Sequence, residues 1–393
     1  MMRKVVVAGV GMVPFKKPGA SETYDLMGAQ AARLALQDAG VAYNAMQQVY
    51  TCFVYGDSCA GQRAMYHVGM TGVPIFNVNN NCSTGSNGLF LARQAIESGA
   101  IDVALVLGFE QMNPGALGTC FNDRPTPADL YMDQCTRLGV PTDLPNAMRI
   151  FGGAGWAHME RFGTPVESFA KIRAKASRHA ANNPLAVFRK VVTPEDVMAD
   201  PVIWPGVMTR LMACPPTCGA AAAVLCSEEY ARKHGLDSRV WIAAQAMTTD
   251  DTQSLQGDDL RDVAGFGMAK SAARQVYEAA GIGAEDVNVV ELHDCFAHNE
   301  LITYEALGLC PEGGAAKFID DGDNTYGGRY VVNPSGGLLS KGHPLGATGL
   351  AQCTELVQQL RGAADQRQVD GARVALQHNV GIGGACVVTM YRN

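Results

Sequence analysis

The sequence predicts an α/β protein made of two copies of one alternating strand–helix unit, with an unrelated stretch inserted between them. Three observations carry that prediction. Short β-branched runs alternate with segments of helical apolar spacing, which implies right-handed crossovers and a largely parallel sheet. The second half of the chain repeats the element order of the first. Glycine makes up 44 of 393 residues with no Gly-x-y period, so the excess marks turns and close backbone approaches rather than collagen or a linker.

The elements follow in order. Val5–Ala8 is a buried strand that should end at Gly9. Tyr24–Ala39 has helical periodicity and stops at Gly40, a C-cap glycine. Val49–Tyr55 is a strand, Ser86–Ser98 a helix stopped by Gly99, and Val103–Leu107 a buried strand. Cys218–Ser227 reads as the last strand of this half. The second half offers a strand at Val240–Ala244, a helix at Lys270–Ala280 before Gly281, and a strand at Val287–Leu292. A helix at Gly349–Leu360 and strands at Val374–Gln377 and Ala385–Tyr391 complete it.

The halves also match residue by residue. At an offset of 241, Ala31-Ala32-Arg33 falls on Ala272-Ala273-Arg274, Ala39-Gly40-Val41 on Ala280-Gly281-Ile282, and Val49 on Val290. At 261, Cys82 falls on His343, Gly88 on Gly349 and Leu89 on Leu350. Such a recurring register reads as an internal duplication. Residues 1–112 with 215–236 would form one half, 237–393 the other, and 113–214 an inserted subdomain, since that stretch is too long for a plain loop.

Composition excludes several classes. With 47% hydrophobic and 18% charged residues the chain is not disordered. A net charge of −7 argues against a broad nucleic-acid footprint. The longest apolar runs fall far short of the roughly 18–20 residues that span a membrane. The start, MMRKVVVAGVG, lacks the apolar core of a signal peptide, so an intracellular, reducing compartment is expected for the 12 cysteines. Cys214-x-x-x-Cys218 is the nearest thing to a metal-ligand pair, and no second pair completes it, so no metal is expected.

Four segments carry candidate chemistry. Asn79–Ser86 places Cys82 just before a helix, whose dipole and free N–H groups favour a thiolate and offer oxyanion donors. His293 and Cys295 lie at a strand's C-terminal end, two apart and so on one side. Asn333–Gly349 surrounds His343 with glycines at the start of a helix, in the place of Cys82 by the repeat. Two such helix starts meeting would form a Cys–His pair, the usual means of activating a thiol. Gln377–Gly384 is a glycine-rich turn whose N–H groups suit an oxyanion. A basic stretch, Lys171, Arg173, Lys175, Arg178 and His179, suits either a phosphate or, more commonly, a solvated helix face.

At these residues the sequence resembles the thiolase superfamily, most closely its sterol-carrier-protein type, over nearly the whole length. NNNCSTGS is similar to the family's nucleophile loop, HDCF to its second motif, GHPLGATG to its histidine motif and HNVGIGG to its final glycine turn. The resemblance implies a thiolase fold of two βαβαβαββ halves in five layers, α/β/α/β/α. It implies acyl transfer between coenzyme A and a carbon chain, thiolytic cleavage of a 3-oxoacyl-CoA or the reverse Claisen condensation. Cys82 would be acylated and His343 would take its proton. Cys295 would be the second acid/base, because Asn379 stands where ordinary thiolases carry that cysteine. His293 and His343 would hold the enolate oxygen, and the N–H groups of Cys82 and Gly381 the second oxyanion. Coenzyme A and acyl-CoA would be the only small-molecule partners, with no other cofactor, and the assembly a homodimer or homotetramer. Because the chain stops at Asn393, without a Ser-Lys-Leu-type signal, a stand-alone cytoplasmic enzyme of bacterial source is expected. A thiolase-fold aldolase or condensing enzyme, or a non-catalytic acyl-CoA-binding subunit, are the alternatives.

Overall fold

The computed structural model describes residues 3–114 and 121–393. In the first half the chain runs β1 (Val5–Met12), α1 (Tyr24–Ala39), β2 (Gln48–Cys52), α2 (Ala60–Tyr66), β3 (Ile75–Val78), α3 (Thr84–Glu97) and β4 (Val103–Glu110). Four helices follow, α4 (Asp129–Arg137), α5 (Asn146–Phe162), α6 (Glu167–Ala181) and α7 (Pro194–Met198), then the hairpin β5 (Val202–Trp204) and β6 (Met208–Thr209). Next come β7 (Gly219–Ser227), α8 (Glu228–His234) and β8 (Trp241–Thr248), then α9 (Thr252–Gln256), α10 (Leu260–Val263) and α11 (Phe266–Ala280). The rest is β9 (Val289–Glu291), α12 (Ala297–Ala306), α13 (Ala315–Asp320), β10 (Val331–Val332), α14 (Thr348–Arg361), β11 (Val374–Gly381) and β12 (Ala385–Arg392).

The strands lie in the order β10-β9-β11-β12-β8-β1-β7-β4-β2-β3. The order reads alike from either edge, so the two halves are mirror-ordered about β1 and β8. That junction is narrow: Val6 pairs with Trp241, and the Val7 N–H donates to Val240 O at 2.9 Å. The sheet is mixed rather than largely parallel. β2 pairs in parallel with β3 and β4, and β9 with β10 and β11, as crossover helices require. β7 and β12 run antiparallel to both neighbours. β12 returns through a tight turn and β7 arrives after the insertion, so neither has a crossover helix to make it parallel.

The halves fold into five layers. α1 packs on β1 and β7 from outside, and α11 packs on β8 and β12. Between them α3 and α14 pack on each other and on strands of both halves. β1 is buried along its whole length and runs on through Gly9 to Met12. Gly9 is no strand end: a Cβ there would lie 2.4 Å from Ala35 O, so the glycine lets α1 ride directly on the strand. α4 to α7 share one apolar core with the second half, joining Phe151 and Phe169 to Phe296 and Leu301. The inserted helices thus roof the half that follows them in sequence.

Candidate active site

The Cys82 loop is held by its asparagines. Asn81 has φ 50, a left-handed conformation that Asn adopts more readily than most residues. Its Nδ2 donates to Ile382 O at 2.9 Å, tying the loop to the glycine turn after β11. Asn87 Nδ2 donates to Ser83 O at 2.9 Å, bracing the first turn of α3. Cys82 is 4% exposed, with Sγ facing Asn81 Oδ1 at 3.6 Å. Burial pushes its thiol up to about 12; the Ile382 N–H pulls the other way and the Glu110 charge adds to the rise. The helix start does not make a resting thiolate, because desolvation outweighs it.

His343 is set by one bond. Its Nδ1 lies 2.7 Å from Thr348 Oγ1, and that hydroxyl donates to Pro344 O at 2.9 Å. The hydroxyl proton being so used, Nδ1 carries the hydrogen and donates, which leaves Nε2 a bare lone pair. Nε2 is buried and has no partner among the described residues. Burial, with Lys341 nearby, lowers the imidazole to about 3, so it stays neutral. Before it, Gly336, Gly337 and Gly342 take φ of 96°, 58° and 117° around a wide helical turn at Gly337–Lys341. A Cβ on Gly337 would fall 2.0 Å from Asp294 Oδ2.

The repeat places these loops differently from the sequence expectation. α3 and α14 begin 264 positions apart, 84 to 348, and the helices touch at Gly85 and Gly349, also 264 apart. The match at 261 is therefore out by three residues. His343 stands five residues ahead of its helix and Cys82 two, and Pro344-Leu345-Gly346 supplies the difference.

β9 ends at Glu291, so His293 and Cys295 lie just beyond the strand rather than on it. Both are buried. The His293 backbone N–H donates to His378 Nδ1 at 3.4 Å, and neither His293 ring nitrogen has a partner among the described residues. Asp294 accepts from the N–H groups of Leu338 at 2.7 Å and Leu339 at 3.3 Å, clamping this loop to the turn before His343. Burial first, then the neighbouring Cys214, Cys82 and Asp294, hold the Cys295 thiol well above its usual range.

The structure brings these segments together. Cys82, His293 and His343 each offer an atom within 4.8 Å of the other two. The His293 and His343 rings meet edge to face, with centroids 4.9 Å apart. Gly381 packs on the Cys82 loop, where a Cβ would lie 2.4 Å from Asn80 O and 3.1 Å from Ser83 N. The N–H that reaches Cys82 Sγ across this contact is that of Ile382.

One residue gave no signal in the sequence, and others take places the sequence did not predict. Glu110, at the end of β4, is buried with no cation beside it among the described residues and accepts from the N–H groups of Val54, Tyr55 and Gly346 at 2.9–3.1 Å. Burial raises it to about 7. It binds the loop after β2 to the turn after His343. Cys214 donates its N–H to Cys295 O at 2.8 Å and forms a third thiol by the site, while Cys218 pairs with the Met112 backbone, so the two make no ligand pair. The basic stretch on α6 is neither a solvated face nor a phosphate surface for most of its length. Arg173 donates to Ser340 Oγ at 2.7 Å, Lys175 pairs with Glu300, and His179 Nδ1 lies 2.9 Å from Asn333 O, all buried. Arg173 and Lys175 face the buried carboxyl groups of Asp294 and Glu300.

Two family models match the chain, the thiolase N-terminal domain over residues 5–200 and the thiolase C-terminal domain-like model over residues 249–391. The chain belongs to the thiolase family. Among thiolase-family relatives, Sterol carrier protein 2 of Homo sapiens is 52% identical over 100% of this chain and 72% of its own length. Benzoylsuccinyl-CoA thiolase subunit BbsB of Thauera aromatica is 37% identical over 98% and 96%. Solved structures share the fold: the Ltp2-ChsH2(DUF35) aldolase at TM-score 0.83 and 21% identity, covering 99% of this chain and 97% of that one. Human mitochondrial 3-ketoacyl-CoA thiolase in complex with CoA aligns at TM-score 0.74 and 20% identity, over 100% and 98%. Relatives from an animal and a bacterium give no preference for a bacterial source. No helix among the described residues is long and apolar enough to cross a membrane.

Proposed function

We propose that this thiolase-family chain is an acyl-CoA acyltransferase that cleaves a 3-oxoacyl-CoA with coenzyme A, or runs the reverse condensation, through an acyl-Cys82 intermediate. The observation that carries the reading is the buried convergence of Cys82, His293 and His343, with the His343 lone pair unpartnered. In this buried site both Cys82 and His343 rest neutral, so the proton moves to Nε2 only as sulfur attacks the thioester carbon. Cys295 then protonates the departing enolate and deprotonates the incoming coenzyme A thiol. The His293 and His343 nitrogens hold the enolate oxygen, and the N–H groups of Cys82 and Gly381 hold the oxyanion on the acylated sulfur. Coenzyme A enters as substrate, and no further cofactor is invoked. Residues 1–112 with 215–236, 113–214 and 237–393 are the units we assign to the two halves and the insertion.

We also assign a homodimer. β3 is an edge strand with one partner, and Phe76, Tyr66 and Met70 stand exposed at or near it.

Incubation with acetyl-CoA followed by peptide mass spectrometry is expected to find the acetyl group on Cys82, and Cys82→Ala to abolish it. Cys295→Ala is expected to form acyl-enzyme but lose turnover. Absence of acyl-Cys82 together with activity in Cys82→Ala would overturn the reading. Carbon–carbon cleavage without coenzyme A would favour an aldolase instead.

A further inference from the structure

We infer that Cys82, His293 and His343 also form a binding site for a soft divalent metal ion, Zn2+ being the test case, and that occupancy shuts the site. One donor atom from each side chain lies within 4.8 Å of the other two. Zinc bonds of about 2.3 Å to sulfur and 2.0–2.1 Å to nitrogen put tetrahedral neighbours roughly 3.3–3.6 Å apart. The three side chains therefore close by about an ångström to reach an ion.

The two imidazoles are already in the form a metal takes, and Cys82 gives up its proton on binding. Thr348 fixes the His343 hydrogen on Nδ1 and leaves Nε2 as a bare lone pair, the outer contact that orients a metal-bound imidazole. Both His293 ring nitrogens are buried and unpartnered, so either tautomer presents a lone pair at no cost in lost hydrogen bonds. Among the described residues, the carboxylate whose field reaches Cys82 is Glu110, which is tied to three backbone N–H groups. The set is thus one sulfur and two nitrogens without oxygen, which selects zinc-like ions over Mg2+ or Ca2+. Three protein ligands leave a fourth position open to water or a thiol.

Binding breaks the Cys82 S–H bond and forms one metal–sulfur and two metal–nitrogen bonds. The proton passes to solvent and no electron moves. The binding stands apart from the proposed acyl transfer; only the inhibitory consequence rests on that reading, because the ion takes both the nucleophile and its base.

The test uses the whole chain and reads binding without activity. Titration with Co2+ is expected to give a thiolate-to-cobalt charge-transfer band saturating at one ion per chain, and Zn2+ to displace it. Cys82→Ala should lose the band and weaken Zn2+ binding at least 100-fold in equilibrium dialysis. His343→Asn should weaken it at least 10-fold, and Cys59→Ala, an exposed thiol, should change nothing. Circular dichroism melting checks that each variant is folded. Unchanged affinity in Cys82→Ala would overturn the metal site. No band in a wild-type chain that forms acyl-Cys82 would overturn it too and leave the acyl transfer standing. A band without acyl-enzyme would do the reverse.

Discussion

The two halves share a strand order and a central helix, yet they hold their site residues by different physics. The first half delivers Cys82 on a loop of asparagine side chains and backbone, with few buried charges around it. The second half delivers His343 and His293 on loops clamped by the buried Asp294 carboxyl group and by two buried ion pairs, Glu291 with Lys341 and Glu300 with Lys175. The inserted helices exist on that side and supply Arg173 and Lys175. A duplicated scaffold can thus be specialised by what is laid over one copy. The copy carrying bases was given an ionic lattice, which fixes loop geometry at a high desolvation cost.

Perturbing each side should separate them, from large effects to small. Lys175→Met leaves Glu300 buried and uncompensated, and should cost about 3–5 kcal/mol of stability in denaturant titration. A loss under 1 kcal/mol would mean that the lattice is not what secures this half. Glu110 is the first-half counterpart, a buried carboxylate held by backbone alone. Its folded value of about 7 lies above the ordinary 4.5, so the native state binds the extra proton between those values and stability falls as pH rises through that window. The difference is about 3 kcal/mol. Chemical unfolding at pH 5 and pH 8 should show a slope of that sign, to which the raised Asp294 also contributes, and Glu110→Gln should reduce it.

Thr348→Val removes the acceptor that sets the His343 tautomer. Losing that bond, worth about 1–3 kcal/mol, should slow Cys82 acylation roughly 10–100-fold, with the melting temperature little changed. Rapid-mixing mass spectrometry reads it, and Thr348→Ser should restore most of the rate. Asn81→Gly is the mildest probe. Glycine tolerates the φ of 50, so the loss is the bond to Ile382 O, at about 1 kcal/mol, and the weaker Oδ1 contact with Cys82 Sγ.

The sequence was legible where one strong local signal acted. α1 spans Tyr24–Ala39 and closes on Gly40 at φ 68, as periodicity and cap predicted, and α11 closes likewise on Gly281. α2 escaped because seven residues show barely two turns of pattern. Gly9 misled because a glycine needed for close packing looks like one needed for a turn. The register of α3 on α14 misled for a related reason: Gly and Leu recur often enough that an offset of 261 matched as well as the true 264. The Cys82, His293 and His343 motifs were readable, but their convergence is made by pairings across the fold. The burial of Arg173 and Lys175 was not readable at all. A charged helix face looks the same in one dimension whether its partners are water or carboxylates more than a hundred residues away.

The narrow seam at β1 carries a consequence for biosynthesis. Among the described residues β1 pairs only with β7 and β8, and β7 begins at Gly219, some 200 residues after β1 ends. At about 5–20 residues per second, the ribosome leaves this apolar strand with α1 on one face but no strand partner for roughly 10–40 s. A nascent chain released before β7 emerges should be a client for chaperones, and one released after it should not.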